Sequence, residues 1–404
     1  MLDGSVSFPY EPIIQVSADD GFGELAGYFE SKLVQVWATS ERATIMRWWY
    51  DYLQNLCKKC HPSWTKDQVD FACSIMCHDF GDRGGSCEQE SEVLGGAHLL
   101  TMMGTDTTSA AYLDWANNNR HPWGSSIHAL AHRTVMGYMR EQDAHIALYN
   151  LGKQTGITAH VCDTNDFYFT VEMLADKMAN DPDWSHDTNL VVMRPDSGDD
   201  LSCLKHICQT AVKHNLFTQD PDTGLKCATR IRWIDGNSVD FSSMMHLIAD
   251  LLNDGFSPFG FGAFGVGGAL RNNLARDHAG TSMKLSTYGL FHTFTAKRSE
   301  DVAKNSIPGI VAVLDNEKYD LPTVVLKSQA SISNRPNLLH VWYDGTDTDN
   351  LFKDPYTELI SLARNRVREG FFRRTQPTQV ISDNLKELQG TVLTNSRVNL
   401  FRGF

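Results

Sequence analysis

A short apolar segment that ends in an arginine and an aspartate is the first part of the sequence that could do chemistry. Leu190 to Met193 has the composition of a buried strand, and Arg194 and Asp196 follow two positions apart, on one side of an extended chain. Arginine binds phosphate through paired hydrogen bonds, and aspartate accepts hydrogen bonds from two sugar hydroxyls. A structural ion pair at a strand end fits the same residues, so this segment alone leaves both interpretations open.

A glycine-rich turn follows another apolar run. It extends from Phe264 to Leu270 and includes Gly267 and Gly268. Glycines between a strand and a helix allow the backbone to approach a phosphate closely, and the free N–H groups of the helix can bind it. The turn lacks the lysine of a Walker loop and the pattern of a dinucleotide-binding motif. Such turns can serve packing alone, but beside the Arg–Asp pair a phosphate site is the favoured interpretation.

Two further segments supply a histidine and an aromatic ring. His132 ends the segment S-I-H-A-L-A-H, and Phe80 and Arg83 lie within H-D-F-G-D-R-G. A histidine there could exchange a phosphoryl group or hold an anionic intermediate, although a lone histidine is more often a structural residue. Phe80 could stack on a planar heterocycle while Arg83 holds phosphate. The D-F-G triplet does not indicate a protein kinase, because the other kinase motifs are missing.

The elements that must position these residues follow a repeating pattern. Short apolar runs alternate with helical patterns of ten to twenty residues, which is typical of βαβ units and a parallel sheet. Polar, charged or glycine residues follow each apolar run. The strands expected are Cys73–Cys77, His98–Met103, Ser126–Leu130, Ile157–Val161, Leu190–Met193, Arg230–Ile234, Phe259–Phe264 and Met283–Leu285.

About eight such strands are most economically closed into a barrel, whose carboxyl strand ends would converge on one face. The predicted fold is therefore α/β: an irregular parallel β/α barrel with a second, smaller α+β domain built from both chain ends. We expect the barrel to cover residues 66–294 and the smaller domain to combine residues 1–65 with 295–404.

Composition and charge limit the partners of the protein. The chain has 404 residues and a formal net charge of −13, which argues against nucleic acid and anionic membranes as partners. No signal peptide or membrane-spanning run is visible, so a cytoplasmic location is expected. The nine cysteines are expected to be reduced thiols. The C-x-x-C-H pattern at Cys57–His61 matches haem attachment or half of a zinc site, but two helical or loop thiols are the favoured interpretation.

Taken together, the motifs resemble those of the nicotinamide phosphoribosyltransferase family, a branch of the type II phosphoribosyltransferases. Their order and spacing match over roughly residues 1–290. The resemblance implies transfer of phosphoribose from phosphoribosyl pyrophosphate to nicotinamide, giving nicotinamide mononucleotide and pyrophosphate in NAD biosynthesis. The matching segments are HDFGDRG (78–84), MGTDT (103–107), SIHALAH (126–132), CDTND (162–166), VMRPDSG (192–198), IDGNSVD (234–240), FGVGGAL (264–270), LARD (274–277) and MKLSTY (283–288).

The resemblance implies roles for residues that would hold the base and drive turnover. Phe80 would stack on the pyridine ring, and Arg83 would lie against the base and phosphate region. Asp106 would accept a hydrogen bond from the carboxamide, and this carboxylate would disfavour the negatively charged nicotinate. His132 would be phosphorylated by ATP, and with Asp196 it forms the expected catalytic pair.

Other residues would hold the phosphorylated sugar. The resemblance implies that Arg194 and Asp196 bind phosphate and ribose, and that Gly267 and Gly268 cradle the 5′-phosphate. Gly236 belongs to the turn that would bind ribose, and Asp166 to the surroundings of Mg²⁺ bound with pyrophosphate. Arg276 and Lys284 would face pyrophosphate.

The sequence also departs from the family pattern. Ala131 and Arg133 flank the histidine where the nicotinamide enzymes have glutamate and a small hydroxyl residue, and Asn237 stands in the ribose turn where they have aspartate. The start of the chain aligns well inside the family's sequence, so the resemblance implies that an amino-terminal segment of the family is lacking. It also implies a homodimer with shared active sites. The alternatives are a nicotinate phosphoribosyltransferase, a truncated non-catalytic homologue that pairs with a complete subunit, and an unrelated sugar-phosphate barrel enzyme.

Overall fold

The architecture is taken from a computed structural model of the chain. It describes residues 1, 4–19, 21–272, 274–289, 293–315, 322–341, 359–373 and 381–400. Contacts divide the chain into two compact units, one of residues 42–274 and one that combines residues 1–41 with 275–404. We call them the barrel unit and the terminal unit.

The strands and helices are numbered in chain order. The strands are β1 (Cys77–Asp79), β2 (His128–Ala129), β3 (Ile157–Val161), β4 (Leu190–Arg194), β5 (Phe217–Gln219), β6 (Lys226–Ala228), β7 (Ile231–Asp235), β8 (Gly262–Val266), β9 (Thr287–Tyr288), β10 (Thr293–Phe294), β11 (Val311–Leu314) and β12 (Thr323–Leu326). The α-helices are α1 (Gly23–Tyr28), α2 (Glu30–Leu33), α3 (Trp37–Cys60), α4 (Lys66–Ser74), α5 (Glu88–Leu99), α6 (Thr108–Ala116), α7 (His132–Val135), α8 (Glu141–Gly152), α9 (Phe167–Asn180), α10 (Pro182–Ser185), α11 (Asp200–Lys213), α12 (Phe241–Asn253), α13 (Pro258–Phe261), α14 (Arg276–Ala279), α15 (Lys327–Ala330), α16 (Ile360–Arg373) and α17 (Asp383–Leu400). Short 3-10 turns lie at Val34–Val36, Asp82–Gly84, Gly268–Leu270 and Val302–Lys304.

The barrel unit is built on one six-stranded sheet with the order β1-β8-β7-β4-β3-β2. All neighbouring pairs in it are parallel. Parallel neighbours need long connections that cross over the sheet, and helices such as α9 between β3 and β4 and α11 between β4 and β7 supply them. The carboxyl ends of the six strands therefore point to the same edge, as the predicted α/β class requires.

Isolated bridges extend the sheet beyond β1. Asp79 pairs in parallel with Thr105, and Gly104 pairs in parallel with Ser125, a few residues before β2. The backbone N–H of Asp79 donates to the carbonyl oxygen of Gly104 at 3.0 Å, and that of Thr105 donates to Ser125 at 3.0 Å. β1 and β2 are the two outer strands of the sheet. The bridges lead from β1 to a segment shortly before β2, so the sheet curls and its two edges approach each other. This curled parallel sheet confirms the predicted irregular β/α architecture.

The two faces of the curled sheet carry different apolar clusters. A large core packs helices against one face and includes Trp233 of β7 and Phe264 of β8, both fully buried. A small cluster of Ala159, Val192, Ile234 and Ala263 occupies the other face. Successive residues of a strand point to opposite faces, so adjacent residues of β7 and β8 contribute to the two clusters in turn.

Several expected elements were placed correctly and others were not. Strand β3 has the predicted bounds, β4 ends one residue later than predicted, and β7 is shifted by one residue at both ends. The expected strand His98–Met103 is wrong, because α5 continues to Leu99. The expected strands at Cys73–Cys77 and Phe259–Phe264 begin later, after helices α4 and α13. No strand forms at Met283–Leu285, where the chain is irregular before β9.

The terminal unit contains residues from both ends of the chain. Strands β11 and β12 pair antiparallel, and Val313 and Val324 pack in a cluster with Ile381 and Leu385 near the start of α17. The side-chain oxygen of Gln15 accepts a hydrogen bond from the backbone N–H of Val311 at 3.1 Å, which ties the beginning of the chain to β11. Within the described residues, no helix is long and apolar enough to cross a membrane.

Candidate active site

A cavity of 940 Å³ opens at the carboxyl ends of the barrel strands. Its walls come from the segments that follow β1, β4, β7 and β8, from the start of α7, and from the segment that pairs with Asp79. Nine of the twelve residues singled out in the sequence line it: Phe80, Arg83, Asp106, His132, Arg194, Asp196, Gly236, Gly267 and Gly268. Residues far apart in sequence therefore meet at one place.

The other three residues are not among those that line the cavity. Asp166 is the N-cap of α9, where its carboxylate accepts a hydrogen bond from the backbone N–H of Phe169 at 3.0 Å, and it is not among the cavity-lining residues. Arg276 and Lys284 belong to the terminal unit. There Arg276 pairs with Asp277 at 2.6 Å, and the amino group of Lys284 donates to the carbonyl oxygen of Met283.

The ring of Phe80 lies against the ends of β7 and β8. The backbone N–H of Phe80 donates to the carbonyl oxygen of Val266 at 2.9 Å, which fixes the residue at the end of β1. A Cβ atom at Gly265 would collide with the ring, and one at Gly236 would lie 3.6 Å from it. The absence of a side chain at Gly265 thus makes room for an aromatic surface inside the cavity.

Asp106 is held at the cavity wall from two sides. Its backbone N–H donates to the carbonyl oxygen of Asp79 at 2.9 Å, and its carboxylate accepts a hydrogen bond from the hydroxyl of Ser126 at 2.5 Å. Asp106 is exposed, so its other carboxylate oxygen can accept a hydrogen bond from a ligand. An amide N–H₂ group is a suitable donor.

His132 lies between two carboxylates. Its Nε2 atom is 3.0 Å from Oδ1 of Asp163, and its Nδ1 atom is 3.8 Å from Oδ2 of Asp196. Oδ2 of Asp163 accepts a hydrogen bond from the hydroxyl of Ser197 at 2.5 Å, which fixes the carboxylate. When the imidazole donates Nε2–H to Asp163, its lone pair is on Nδ1. His132 could then receive a group at Nδ1.

Asp163 was missed in the sequence, although it lies in the CDTND segment that was noticed there. It follows β3 by two residues, at the same strand edge as Arg194. The signal that could have identified it is the start of α9 at Phe167: the residue just before a helix is the usual N-cap, which assigns Asp166 to the helix and leaves Asp163 for the site.

Arg194 and Asp196 both line the cavity but do not form a close ion pair. Nε of Arg194 is 3.9 Å from Oδ1 of Asp196, which is beyond hydrogen-bond distance. Nε of Arg194 is buried and has no hydrogen-bond partner within the described residues. This geometry favours ligand binding over the structural ion pair considered for the sequence, because both side chains keep capacity for other partners.

Two further carboxyl groups, those of Asp235 and Asp200, lie close to the turn at Gly236. Burial, together with the charges of Asp200 and Asp196, raises the pKa of Asp235 to about 7, although a hydrogen bond from the backbone of Asn237 opposes the shift. The side chain of Asn237 donates to Asp200 at 2.8 Å. Asn237 therefore anchors the turn through its side-chain amide.

The described residues contain no group of three or more histidine, cysteine, aspartate or glutamate side chains arranged to hold a metal ion. A magnesium ion that arrives with a phosphorylated ligand needs fewer protein ligands, since phosphate oxygens and water complete its shell. Asp196, which is partly exposed in the cavity, offers one such oxygen donor.

Fold and cavity together define an α/β protein whose parallel strands converge on a polar cavity containing an aromatic ring, a histidine, arginines and carboxylates. The chain belongs to the nicotinate phosphoribosyltransferase (NAPRTase) family, whose model matches residues 75–317. This range includes all twelve residues singled out in the sequence.

Two relatives illustrate the similarity. A nicotinamide phosphoribosyltransferase of Xanthomonas campestris pv. campestris (strain 8004) is 29% identical over 269 residues, which is 64% of this chain and 54% of the relative. The chain thus spans about half the length of that relative. The crystal structure of nicotinate phosphoribosyltransferase from Porphyromonas gingivalis aligns over 60% of this chain and 58% of its own, with 16% identity and a TM-score of 0.34.

Proposed function

We propose that the protein is a nicotinamide phosphoribosyltransferase of NAD biosynthesis. In this reaction the ring nitrogen of nicotinamide forms a bond to C1 of the ribose of phosphoribosyl pyrophosphate, and the bond from C1 to pyrophosphate breaks. The observation that carries the proposal is the meeting of Phe80, Asp106, Arg194, Asp196 and the glycine turn in one cavity. These groups match the three parts of the reactants: a flat base, a ribose and phosphates.

The base would lie against Phe80, with its carboxamide donating to Asp106. The ring stacks on an aromatic face, which supplies apolar contact and favourable ring geometry. The carboxylate of Asp106, fixed by Ser126, sets the orientation of the base by accepting the amide N–H. Together the two contacts would direct the ring nitrogen toward the ribose.

The sugar phosphate would lie between the ends of β4 and β8. Arg194 offers a buried, unpartnered Nε to a phosphate, and Asp196 accepts from ribose hydroxyls or stabilises positive charge that develops at C1. Gly267 and Gly268 line the cavity next to the first N–H groups of a helical turn. Their lack of side chains allows the backbone to approach the 5′-phosphate. Arg83 would contact the base and phosphate region, and Gly236 the ribose.

Magnesium would enter with pyrophosphate, held by Asp196 and by oxygens of the ligand. When bound, the ion would neutralise charge on the departing pyrophosphate. Asp166 caps α9. Its expected place near magnesium, and the expected contacts of Arg276 and Lys284 with pyrophosphate, stay predictions from the resemblance.

His132 is the proposed site of phosphorylation by ATP. The proton on Nε2 is directed at Asp163, so Nδ1 would attack the terminal phosphorus of ATP, and ADP would leave. Asp163 stabilises the positive charge of the imidazole during this step. The phosphorylated histidine would then add negative charge beside the pyrophosphate site. We further propose that the protein acts as a homodimer with shared active sites, which sedimentation at assay concentrations would test.

The charge of Asp106 favours nicotinamide over nicotinate. Two like charges about 4 Å apart repel by about 4 kcal/mol at an effective dielectric constant of about 20. That energy corresponds to roughly a thousandfold preference for the neutral amide. The preference follows from the carboxylate alone and holds as long as no cation lies between it and the base.

Nicotinate phosphoribosyl transfer is the second candidate. It is favoured by the family model, which describes nicotinate phosphoribosyltransferases, and by the arginines at positions 83 and 133 in the same cavity. Either cation could pair with the carboxylate of nicotinate. The two candidates share a fold and a leaving group and differ only in the base.

The test is release of pyrophosphate from phosphoribosyl pyrophosphate with nicotinamide or nicotinate, with and without ATP. Faster release with nicotinamide, lost in Asp196→Ala, supports the proposal. Faster release with nicotinate would support the second candidate, nicotinate phosphoribosyl transfer. No release with either base, in a sample that still binds phosphoribosyl pyrophosphate, would indicate a non-catalytic homologue.

A further inference from the structure

A buried ion pair lies next to residues that line the cavity. One nitrogen of the Arg271 guanidinium, Nη2, is 2.8 Å and 3.0 Å from the two carboxylate oxygens of Asp79. Their side chains are 1% and 0% exposed. Asp79 is the last residue of β1, immediately before Phe80, and Arg271 follows the glycine turn. The pair therefore joins the segment that carries the aromatic ring to the segment that carries the phosphate site.

The same pair holds two further segments of the site. Nη2 of Arg271 is 3.5 Å from the carbonyl oxygen of Ser91 in α5 and 3.4 Å from the hydroxyl of Thr107, which follows Asp106. The carboxylate of Asp79 also accepts a hydrogen bond from the backbone N–H of Gly81 at 2.8 Å. One guanidinium and one carboxylate thus contact every segment that would hold the base.

Two glycines leave room for this pair, and a third lies in contact with it. A Cβ atom at Gly81 would lie 2.9 Å from the central carbon of the Arg271 guanidinium, and one at Gly95 would lie 2.8 Å from a carboxylate oxygen of Asp79. At Gly84 an added Cβ would lie 3.7 Å from Cγ of Arg271 and 3.4 Å from Cα of Gly268. The turn after Phe80 therefore packs closely on the arginine and on the glycine turn.

The hydrogen bonding of the pair does not favour a role in stability alone. A buried ion pair offsets its desolvation only when further hydrogen bonds satisfy the remaining donors, and apolar residues of similar size are often as stable. Within the described residues, Nε and Nη1 of Arg271 are buried and have no hydrogen-bond partner. Stability alone does not account for an arginine here. The contacts of Arg271 with several segments of the site indicate a role in setting the distances between these segments.

We propose that Arg271, through Asp79, is a positioning residue that fixes the distance between the ring-stacking turn and the phosphate-binding turn. The inference rests on the proposed function. Each ligand contacts one turn, but bond formation requires the ring nitrogen and C1 of ribose to lie close and aligned. A misplacement of about 1 Å can reduce the rate by about a hundredfold while both ligands still bind. Loss of the pair should therefore affect the joint binding of the two ligands and turnover more than the binding of either alone.

The experiment compares a double variant with a second buried pair. Asp79→Asn combined with Arg271→Met removes both charges and approximately keeps the volume, so no unpaired charge is left. The matched control is Asp51→Asn combined with Arg47→Met, since Arg47 and Asp51 form an ion pair at 2.6 Å within α3, with side chains 2% and 10% exposed. Arg271→Lys is the conservative variant, which keeps the charge but not the planar group.

We expect the Asp79/Arg271 double variant to melt within a few degrees of the wild type. Its dissociation constants for nicotinamide alone and for phosphoribosyl pyrophosphate alone should change less than about threefold, whereas kcat should fall about a hundredfold. The increase in affinity for one ligand that the other produces in the wild type should be lost. Arg271→Lys should recover part of kcat. The Arg47/Asp51 control should keep kcat and the coupling between ligands.

Wild-type kcat and coupling in the double variant would overturn the inference. So would a loss of melting temperature with a parallel loss of both separate affinities, since that result indicates a purely structural pair. If the double variant does not fold, Arg271→Lys decides alone: unchanged kcat and coupling overturn the inference. Because binding is measured without turnover, a wild type that binds both ligands cooperatively but releases no pyrophosphate would overturn only the proposed reaction.

Discussion

The imidazole Nε2 of His132 lies 3.0 Å from a carboxylate oxygen of Asp163, at the ends of neighbouring parts of the barrel sheet. His132 begins α7 after β2, and Asp163 follows β3, which pairs with β2 in parallel. The contact is thus a consequence of strand order. Because a carboxylate only accepts hydrogen bonds, the contact favours the tautomer with its proton on Nε2 and its lone pair on Nδ1.

Replacement of Asp163 by asparagine should reduce turnover that depends on ATP. The amide removes the charge that stabilises a positively charged imidazole and can present an N–H₂ group that favours the other tautomer. We expect a loss of about 10- to 1000-fold in ATP-stimulated pyrophosphate release. The comparison variant is Asp166→Asn. Asparagine caps helices as well as aspartate does, so this change should leave the stability of α9 unaltered. A larger loss in Asp166→Asn than in Asp163→Asn would contradict the role given to Asp163.

Replacement of Asp106 by asparagine should change the choice of base. The repulsion between the carboxylate and nicotinate disappears, and the amide N–H₂ group can donate to the carboxylate of nicotinate. The ratio of kcat/KM for nicotinamide to that for nicotinate should fall by about 100- to 1000-fold. Asp82→Asn removes an equal charge from another part of the cavity wall and tests whether position matters. Equal shifts in the two variants would show that only the total charge of the cavity counts.

Arg133 should contribute to the binding of phosphoribosyl pyrophosphate. Arg133 lines the cavity, as do the carboxylates of Asp106 and Asp196, which would otherwise repel a phosphorylated ligand. Arg133→Ser removes this positive charge and should raise the dissociation constant for phosphoribosyl pyrophosphate about tenfold, equal to about 1.4 kcal/mol. Arg140→Ser is the control, because Arg140 is exposed and paired with Asp143 at 2.7 Å. Calorimetric titration measures both, and the same dissociation constant in the two variants would contradict the prediction.

The sequence predicts the strands that carry Arg194 and Asp235 because those strands are short apolar runs bounded by polar residues. It fails at His98–Met103 because a buried helix end has the same continuous apolar character as a buried strand. Residues 94–99 of α5 are all buried, so no polar face reveals the helical period. The helix α4 could have been recognised from its capping box, in which Thr65 and Gln68 exchange hydrogen bonds.

Part of the candidate site could be predicted from the sequence because its residues follow recognisable strands. Residues placed immediately after predicted strands converge by topology alone, and Phe80, Arg194 and Asp196 belong to that group. The choice between Asp163 and Asp166 depends on the path of a turn, which spacing does not specify. The pair of Asp79 and Arg271 joins residues 192 positions apart, so only the folded chain brings them together.

Asp235 should make the protein less stable as the pH rises from about 4 to about 7. Burial raises the pKa of its carboxyl from 3.8 to about 7 in the folded state, and the neighbouring Asp200 adds to the shift. Between these values the unfolded chain has lost the proton that the folded chain still holds, so the free energy of unfolding decreases with rising pH. Asp235→Asn cannot ionise and avoids the cost of a buried charge. Its gain over the wild type should be on the order of 2–4 kcal/mol at pH 8 and should vanish near pH 4.

Urea unfolding of both proteins at pH 4 and pH 8 measures this difference. The exposed Asp222 provides the control, since Asp222→Asn changes the net charge equally without removing a buried carboxyl. A gain at pH 8 that is as large in Asp222→Asn would assign the effect to net charge. A gain in Asp235→Asn that is the same at both pH values would show that the residue acts through packing and hydrogen bonding, because only an ionising group produces a difference that grows with pH.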